Sequence, residues 1–269
     1  MSMPEYTALI RTFNSERTLP KTLSFLSDQA VPPARFVFVD SGSTDGTLAR
    51  LPANSIVHRF VGEEFNYAES LNQGIQFVST DYVLIISSHT SLSNPNAIEY
   101  ALKLLATDDS YGAAYFCLEN PSKLSHTTID KQSFTGFNGL FNTCALVRVR
   151  LLRERGFRKE VFTSEDQEWA KWLLFIKGGR TARIAGGGLN YDNPRGQSIR
   201  KRLNEYIAVA CFVNRSLLGI FNILHLAIIA IRPRVTSHIR FVDRIYYLRL
   251  SFELLKCRYS KPPRRAPYS

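Results

Sequence analysis

Three short stretches hold the side chains that could do chemistry. In Val39-Asp40-Ser41-Gly42-Ser43-Thr44-Asp45-Gly46-Thr47 an acid follows the apolar run Phe36-Val37-Phe38-Val39 and leads into small polar residues. Such a carboxylate either binds the amides of the helix that follows or meets a ligand, and the strand alone weighs the two about equally. In Ser164-Glu165-Asp166-Gln167-Glu168-Trp169 two adjacent acids open a helix. They either complement the helix dipole or hold a carboxylate beside an acceptor hydroxyl as a general base. Trp169, three residues past Asp166, would stack a sugar beside that base or fill the core. In Ser87-Ser88-His89-Thr90 a lone imidazole stands where the chain leaves an apolar strand. A lone histidine is more often structural, but that position favours a role in a site.

The elements around these stretches alternate strand and helix. Strands are expected at residues 6–11, 36–40, 55–60, 81–86 and 111–118, with another at 144–147 and a last one at 183–185. Helices are expected from Pro20, over 44–51, 67–78 and 96–106, near 150–155, and from Ser164, with Ser43 or Thr44 capping the second of these and Ser164 capping the last. Residues 119–142 read as a long irregular loop. This order predicts an α/β fold with a mostly parallel central sheet and helices on both faces. Ligands of such sheets bind at the carboxyl ends of the strands, where Asp40 and His89 fall.

Composition narrows the surroundings. The four cysteines are widely spaced with no Cys-x-x-Cys, which excludes a disulfide framework or a zinc knuckle and fits a reducing compartment. The first twelve residues lack a charged-then-apolar signal core, so a cytoplasmic location is expected. Residues 195–269 carry 15 Lys and Arg against 3 Asp and Glu, a net +12, whereas residues 1–194 carry 19 against 20, a net −1. That basic end looks helical and points to an anionic partner such as a membrane surface. Residues 217–231 are nearly apolar, but 15 residues interrupted by Asn222 and His225 fall short of the about 20 that span a bilayer. Arg240, Arg244 and Arg249 interleave with Ile245, Tyr246, Tyr247 and Leu250, as on a basic amphipathic helix lying at an interface. The charge comes with no nucleic-acid recognition motif, so no nucleic-acid partner is expected.

Order and spacing together carry a resemblance. Arg11-Thr12-Phe13-Asn14, then the Asp40 string, then Asn72-Gln73-Gly74-Ile75 before the strand at 81–86, then Glu165-Asp166 with Trp169, are similar to a family 2 glycosyltransferase of the GT-A nucleotide-diphospho-sugar fold over residues 5–195. The resemblance implies a catalytic domain at 1–195 and a helical, basic C-terminal extension at 196–269. It implies an inverting transfer of a sugar from a UDP-, dTDP- or GDP-linked donor to a hydroxyl of a glycan or lipid-linked acceptor. Thr12, Asn14 and Asp40 would form the nucleotide site, with Asp40 receiving the imide N–H of the base. Asp166 would be the catalytic base and Glu165 its neighbour. Gly139, Asn142 and Trp169 would lie on the donor-sugar or acceptor side.

Two departures stand out. The family's Asp-x-Asp, whose carboxylate ligates Mn2+ or Mg2+, is replaced by Ser87-Ser88-His89, so Ser88 and His89 would meet the diphosphate or its metal. Metal dependence is thereby left open, and a catalytically dead nucleotide-sugar-binding subunit is the alternative. After the base helix, where relatives often carry a histidine, this chain has Asn190 and Asp192. Phe65-Asn66-Tyr67 together with Ser-x-His resembles bacterial rhamnosyltransferase-like members, which implies a deoxysugar donor.

Overall fold

The apolar runs become strands buried on both faces. Val37, Phe38 and Val39, like Val83, Leu84, Ile85 and Ile86, are all inaccessible to solvent, as a sheet covered by helices on each side requires. The computed structural model describes residues 3–62, 64–192, 198–231 and 241–263. In chain order the strands are β1 (Tyr6–Thr12), β2 (Arg35–Asp40), β3 (Ile56–Arg59), β4 (Tyr82–Ser87), β5 (Thr90–Leu92), β6 (Tyr111–Phe116), β7 (Ser125–Ile129), β8 (Cys144–Arg148), β9 (Arg180–Ala185) and β10 (Leu189–Tyr191). The helices are α1 (Leu19–Ser27), α2 (Tyr67–Ile75), α3 (Ala97–Thr107), α4 (Val149–Glu154), α5 (Glu165–Phe175), α6 (Ile199–Ala208), α7 (Ile220–Ile231) and α8 (Phe241–Tyr259).

Eight strands form one sheet in the order β3-β2-β1-β4-β8-β6-β9-β7, and β5 pairs with β10 in a separate two-stranded ribbon. β3, β2, β1 and β4 run parallel, as do β6 and β9. β8 runs antiparallel to both β4 and β6, and β7 antiparallel to β9. The sheet is mostly parallel, with its antiparallel pairs confined to the half beyond β4. Because β8 is reversed, its first residues open at the same edge where β1, β2 and β4 end.

Two apolar clusters sandwich the sheet. Leu19, Leu26, Ile98 and Leu102 cover one face; Leu71, Ile75, Trp169 and Leu173 cover the other. Gly74 lets α2 approach closely, since a Cβ there would sit 2.5 Å from Leu9 Cδ1. The C-terminal helices build a third cluster of their own, with Leu203, Ile207, Ile223, Leu226, Leu250 and Leu254 at its centre. Among the described residues no helix is long and apolar enough to cross a membrane.

Three local expectations need correction. The segment 44–51 is a short 3-10 helix, Gly46–Arg50, and its cap is Asp45, which accepts from Thr47 N at 3.0 Å. Ser43 and Thr44 are drawn elsewhere, as the site shows. The loop 119–142 contains the strand β7, whose polar Ser125, His126 and Thr127 are exposed at the sheet's last edge. Ser164 precedes α5 but makes no side-chain cap, because it adopts the left-handed conformation at φ 60°.

Candidate active site

Asp40 ends β2 fully buried. Its Oδ2 accepts from Gly42 N at 3.0 Å and Ser43 N at 2.9 Å, and its Oδ1 from Ser43 Oγ at 2.5 Å and Thr12 Oγ1 at 3.0 Å. Two oxygens offer about four lone-pair positions, and all are filled. The carboxylate therefore folds the turn, which Gly42 completes at φ +89°. A nucleobase imide reaches it only if Ser43 or Thr12 turns its hydroxyl away. Asn14, a non-glycine residue at φ 49°, closes the same corner: its N–H donates to Ser43 Oγ at 2.9 Å, and its Oδ1 accepts from Thr44 N at 2.8 Å. Backbone strain of this kind persists where surrounding bonds over-determine it. Ser15 N donates to Thr47 Oγ1 at 2.7 Å and Glu16 N to Asp45 Oδ2 at 3.1 Å, so the loops after β1 and β2 are zipped together.

Ser88 continues this corner across to β4, its buried hydroxyl 2.7 Å from that of Ser15. His89 lies beside it, ring against Tyr191 of β10 at 4.8 Å, while its carbonyl accepts from Asp192 N at 2.9 Å. Thus β10 straps the turn that holds His89. Asn190 and Asp192 are both exposed there, and Asp192 faces Arg17 at 4.0 Å. Among the described residues no three His, Cys, Asp or Glu side chains converge as metal ligands. With one imidazole and two hydroxyls in place of an Asp-x-Asp, this turn does not fit the oxygen-rich set that Mg2+ or Mn2+ prefers.

The third group gathers at the start of α5. Asp166 Oδ2 accepts from Asn142 N at 3.2 Å, Asp166 Oδ1 from Gln167 N at 2.8 Å, and Glu165 Oε1 from Asn142 Nδ2 at 3.3 Å. Asn142 is buried, and its Oδ1 has no hydrogen-bond partner among the described residues. Burial, and then the charge of Glu165, push Asp166 up to about 8, against the pull of the two amides; Glu205 of α6 adds a further upward push. Glu205 is itself raised, mainly by burial. A carboxyl held near the working pH is poised to exchange a proton.

Two of the expected side chains do not open onto this edge. Trp169 is fully buried: its Nε1 donates to Arg155 O at 2.9 Å and its ring packs on Phe157 and Trp172. Three residues along a helix still leave it turned about 60° from Asp166, enough on α5 to face the core. Gly139 is buried as well, its N–H donating to Gln167 Oε1 at 2.9 Å and its carbonyl accepting from Thr181 Oγ1 at 2.7 Å. A Cβ there would meet Ala170 Cβ at 2.5 Å. Gln167 also donates to Leu140 O, so one buried amide clamps the loop that delivers Asn142.

Sequence reading gave no role of their own to Arg11, Gln167 or Glu205. Arg11 ends the apolar run of β1 on the face of α2 and α5. Its guanidinium lies 4.9 Å from the Tyr67 ring, and its buried Nη1 makes no hydrogen bond among the described residues. A charge at the end of a buried strand is the signal that could have found it. Gln167 had only an amide inside a helix, and Glu205 had no local signal at all.

Register joins the groups. Thr12 pairs with Asp40, Arg11 with Ser87 and Ile86 with Cys144, and Ser87 N donates to Thr143 O at 3.1 Å. All emerge at one edge of β2-β1-β4-β8. With roughly 4.8 Å between strands, the Asp40 turn and Asn142 lie on the order of 14 Å apart.

The family model for Glycosyl transferase family 2 matches residues 7–164, more than half of the chain. The chain belongs to this family. The match ends one residue before Glu165, so the acids of α5 lie just beyond it. Among solved structures, this family 2 member is similar to S. aureus TarS 1-349, at 14% identity and TM-score 0.59 over 93% of this chain and 81% of that one. TarS 1-349 in complex with UDP-GlcNAc matches at 16% and 0.57, over 94% and 90%. The mannosyltransferase PcManGT from Pyrobaculum calidifontis, in complex with GDP-Man and Mn2+, matches at 19% and 0.62, over 95% and 75%. At these identities the likeness shows the GT-A fold. No curated protein matches the chain in sequence.

Proposed function

We propose that this protein is an inverting glycosyltransferase that moves a sugar from a nucleoside-diphosphate donor to a hydroxyl of a glycan or lipid-linked acceptor. One juxtaposition supports the reading: the loop folded around Asp40 and the raised carboxyl of Asp166 lie at one sheet edge, the Asp40 turn and Asn142 beside Asp166 being on the order of 14 Å apart. Thr12, Asn14 and Asp40 hold the nucleotide corner. Arg11, with its unspent Nη1, and Ser88 with His89 face the diphosphate between. Asp166, once ionised, takes the acceptor's proton. The acceptor oxygen then attacks the anomeric carbon from the side opposite the departing nucleoside diphosphate, inverting its configuration. Asn142 and Glu165 position Asp166. The neighbours' UDP, UDP-GlcNAc and GDP-Man complexes support a nucleotide-sugar donor, and a hexosyl or deoxyhexosyl group is the class expected. Residues 1–195 act as the catalytic domain, and 196–269 as an extension that works at the cytoplasmic face of a membrane in glycan synthesis.

A second reading is favoured by Ser87-Ser88-His89: a binding subunit that holds nucleotide sugars without turning them over. Thermal-shift titration with UDP, dTDP and GDP and their sugars, with and without Mn2+, followed by a transfer and hydrolysis assay, separates the two. Stabilisation with turnover supports the transferase; stabilisation without turnover establishes the subunit; no response to any nucleotide rejects both. Arg11→Met is expected to weaken the nucleoside-diphosphate shift about tenfold in affinity, and an unchanged titration removes Arg11 from the donor site.

A further inference from the structure

The two last helices each bury one face and leave the other apolar. On α7, Phe221, Leu224, Ile228 and Ile231 are exposed, Phe221 at 85%. On α8, Ile245, Leu248, Phe252 and Leu255 are exposed at the same i, i+3, i+7, i+10 spacing, and Tyr259 extends the row at 77%. That spacing places each set on a single helix face. The inward faces are occupied by Ile223 and Leu226 against Tyr246, Leu250 and Leu254, so the outward rows are not needed for the internal core. Large contiguous apolar surface left in solvent marks a contact site.

Charge identifies the occupant. Arg249 and Lys256, both exposed, follow Ile245 and Phe252 by one turn and line one border of the α8 row. Both acids of α8 are paired with cations: Asp243 with Arg202, and Glu253 with Lys256 on the border itself, which leaves Arg249 as the border cation with no acid paired to it among the described residues. Residues 195–269 carry a net +12, so two copies brought face to face would repel, whereas an anionic bilayer attracts both the charge and the apolar rows. α7 has 12 residues, about 18 Å of helix, too short to cross a hydrocarbon core of about 30 Å.

We infer that the outward faces of α7 and α8 form a docking surface for an anionic lipid bilayer, lying in the headgroup region with Phe221 and Phe252 entering the acyl boundary. The inference deepens the membrane-side reading above and rests on it for its biological setting. The C-terminal segment that carries this surface is tied to α5 and to the loop before β8. Tyr206 packs on Phe137 at 5.4 Å, Asn214 Nδ2 donates to Thr135 O at 3.3 Å, and Lys171 Nζ of α5 donates to Val213 O at 2.6 Å.

The test is co-sedimentation of the full chain with vesicles of phosphatidylcholine alone and of phosphatidylcholine mixed with phosphatidylglycerol. The chain is expected to sediment with the mixed vesicles, and Phe221→Ser/Phe252→Ser to lower its partition by about tenfold or more. Arg249→Gln/Lys256→Gln should lower it on anionic vesicles and flatten its salt dependence. The altered side chains are exposed, and an unchanged melting temperature confirms the fold. The proposal is overturned if the wild-type chain stays in the supernatant with both vesicles, if the serine variant sediments equally well, or if sedimentation velocity shows a dimer that the serine variant separates. Nucleotide-sugar thermal shifts on the same samples keep the two readings apart: vesicle binding without nucleotide response removes the transferase and leaves the surface, and the converse removes only the surface.

Discussion

The two ends of the catalytic edge are built on opposite electrostatic terms. Around Asp40 every oxygen position has a donor, and the carboxylate acts as the knot of a rigid turn. Around Asp166 two acids are adjacent, a third acid adds to the repulsion, and the Asn142 carbonyl oxygen is buried without a partner among the described residues. One end is satisfied and holds shape. The other stores discomfort that ends when Asp166 takes up a proton. The proposed transfer would use both, a finished pocket for the donor and, for the acceptor hydroxyl, an acid ready to change charge.

The largest expected effect breaks the second end. Asp166→Asn should lower the transfer rate about a thousandfold while nucleotide binding stays intact; a variant that keeps most of its rate would show that another group is the base. Asp40→Ala should do the reverse. It unties four hydrogen bonds in a buried site, so a loss of about 3 kcal/mol in stability is expected together with weaker donor binding. Chemical denaturation and nucleotide titration measure the two losses, and a stable variant with normal titration would mean that the turn is held by other contacts.

The pH dependence sharpens the comparison. A carboxyl raised from its ordinary 3.8 to about 8 binds its proton more tightly in the folded state. Its contribution to stability is complete below about 4 and is lost as the pH climbs through about 8. The rate has the opposite slope, because the base works ionised, and should rise with pH up to that value. Glu165→Gln removes the second cause of the shift and should move the rising limb to lower pH. It should not restore an ordinary carboxyl, since burial is the larger cause. Glu205→Gln should shift the limb in the same direction by less. A pH profile unmoved by either variant would detach Asp166 from the rate-limiting proton transfer.

Much of the Asp40 corner's geometry was legible in sequence because its contacts are local or join consecutive loops. Asp40 binds amides two and three residues on, and the apolar run before it could be little other than a buried strand. At the start of α5 the acidic pair Glu165-Asp166 was legible, but its geometry was not. Trp169 read equally as a platform or as core, and only the packing of α5 decided for core. Gly139 read as a lining residue, yet it is a close approach beneath Gln167. Polar β7 gave no apolar alternation to find, since an edge strand with few core-facing residues looks like loop. Glu205 reaches the site from 39 residues beyond Asp166, through tertiary docking that no local pattern encodes.

Lys171, Val213, Asn214 and Thr135 tie the C-terminal helices to α5 and to the loop before β8. If the proposed docking holds, the molecule would act as a gauge, with Asp166 held at a set height above the lipid heads. An acceptor on a membrane carrier would then have to lift its hydroxyl to that height, and the length of the carried glycan would matter beside its chemistry.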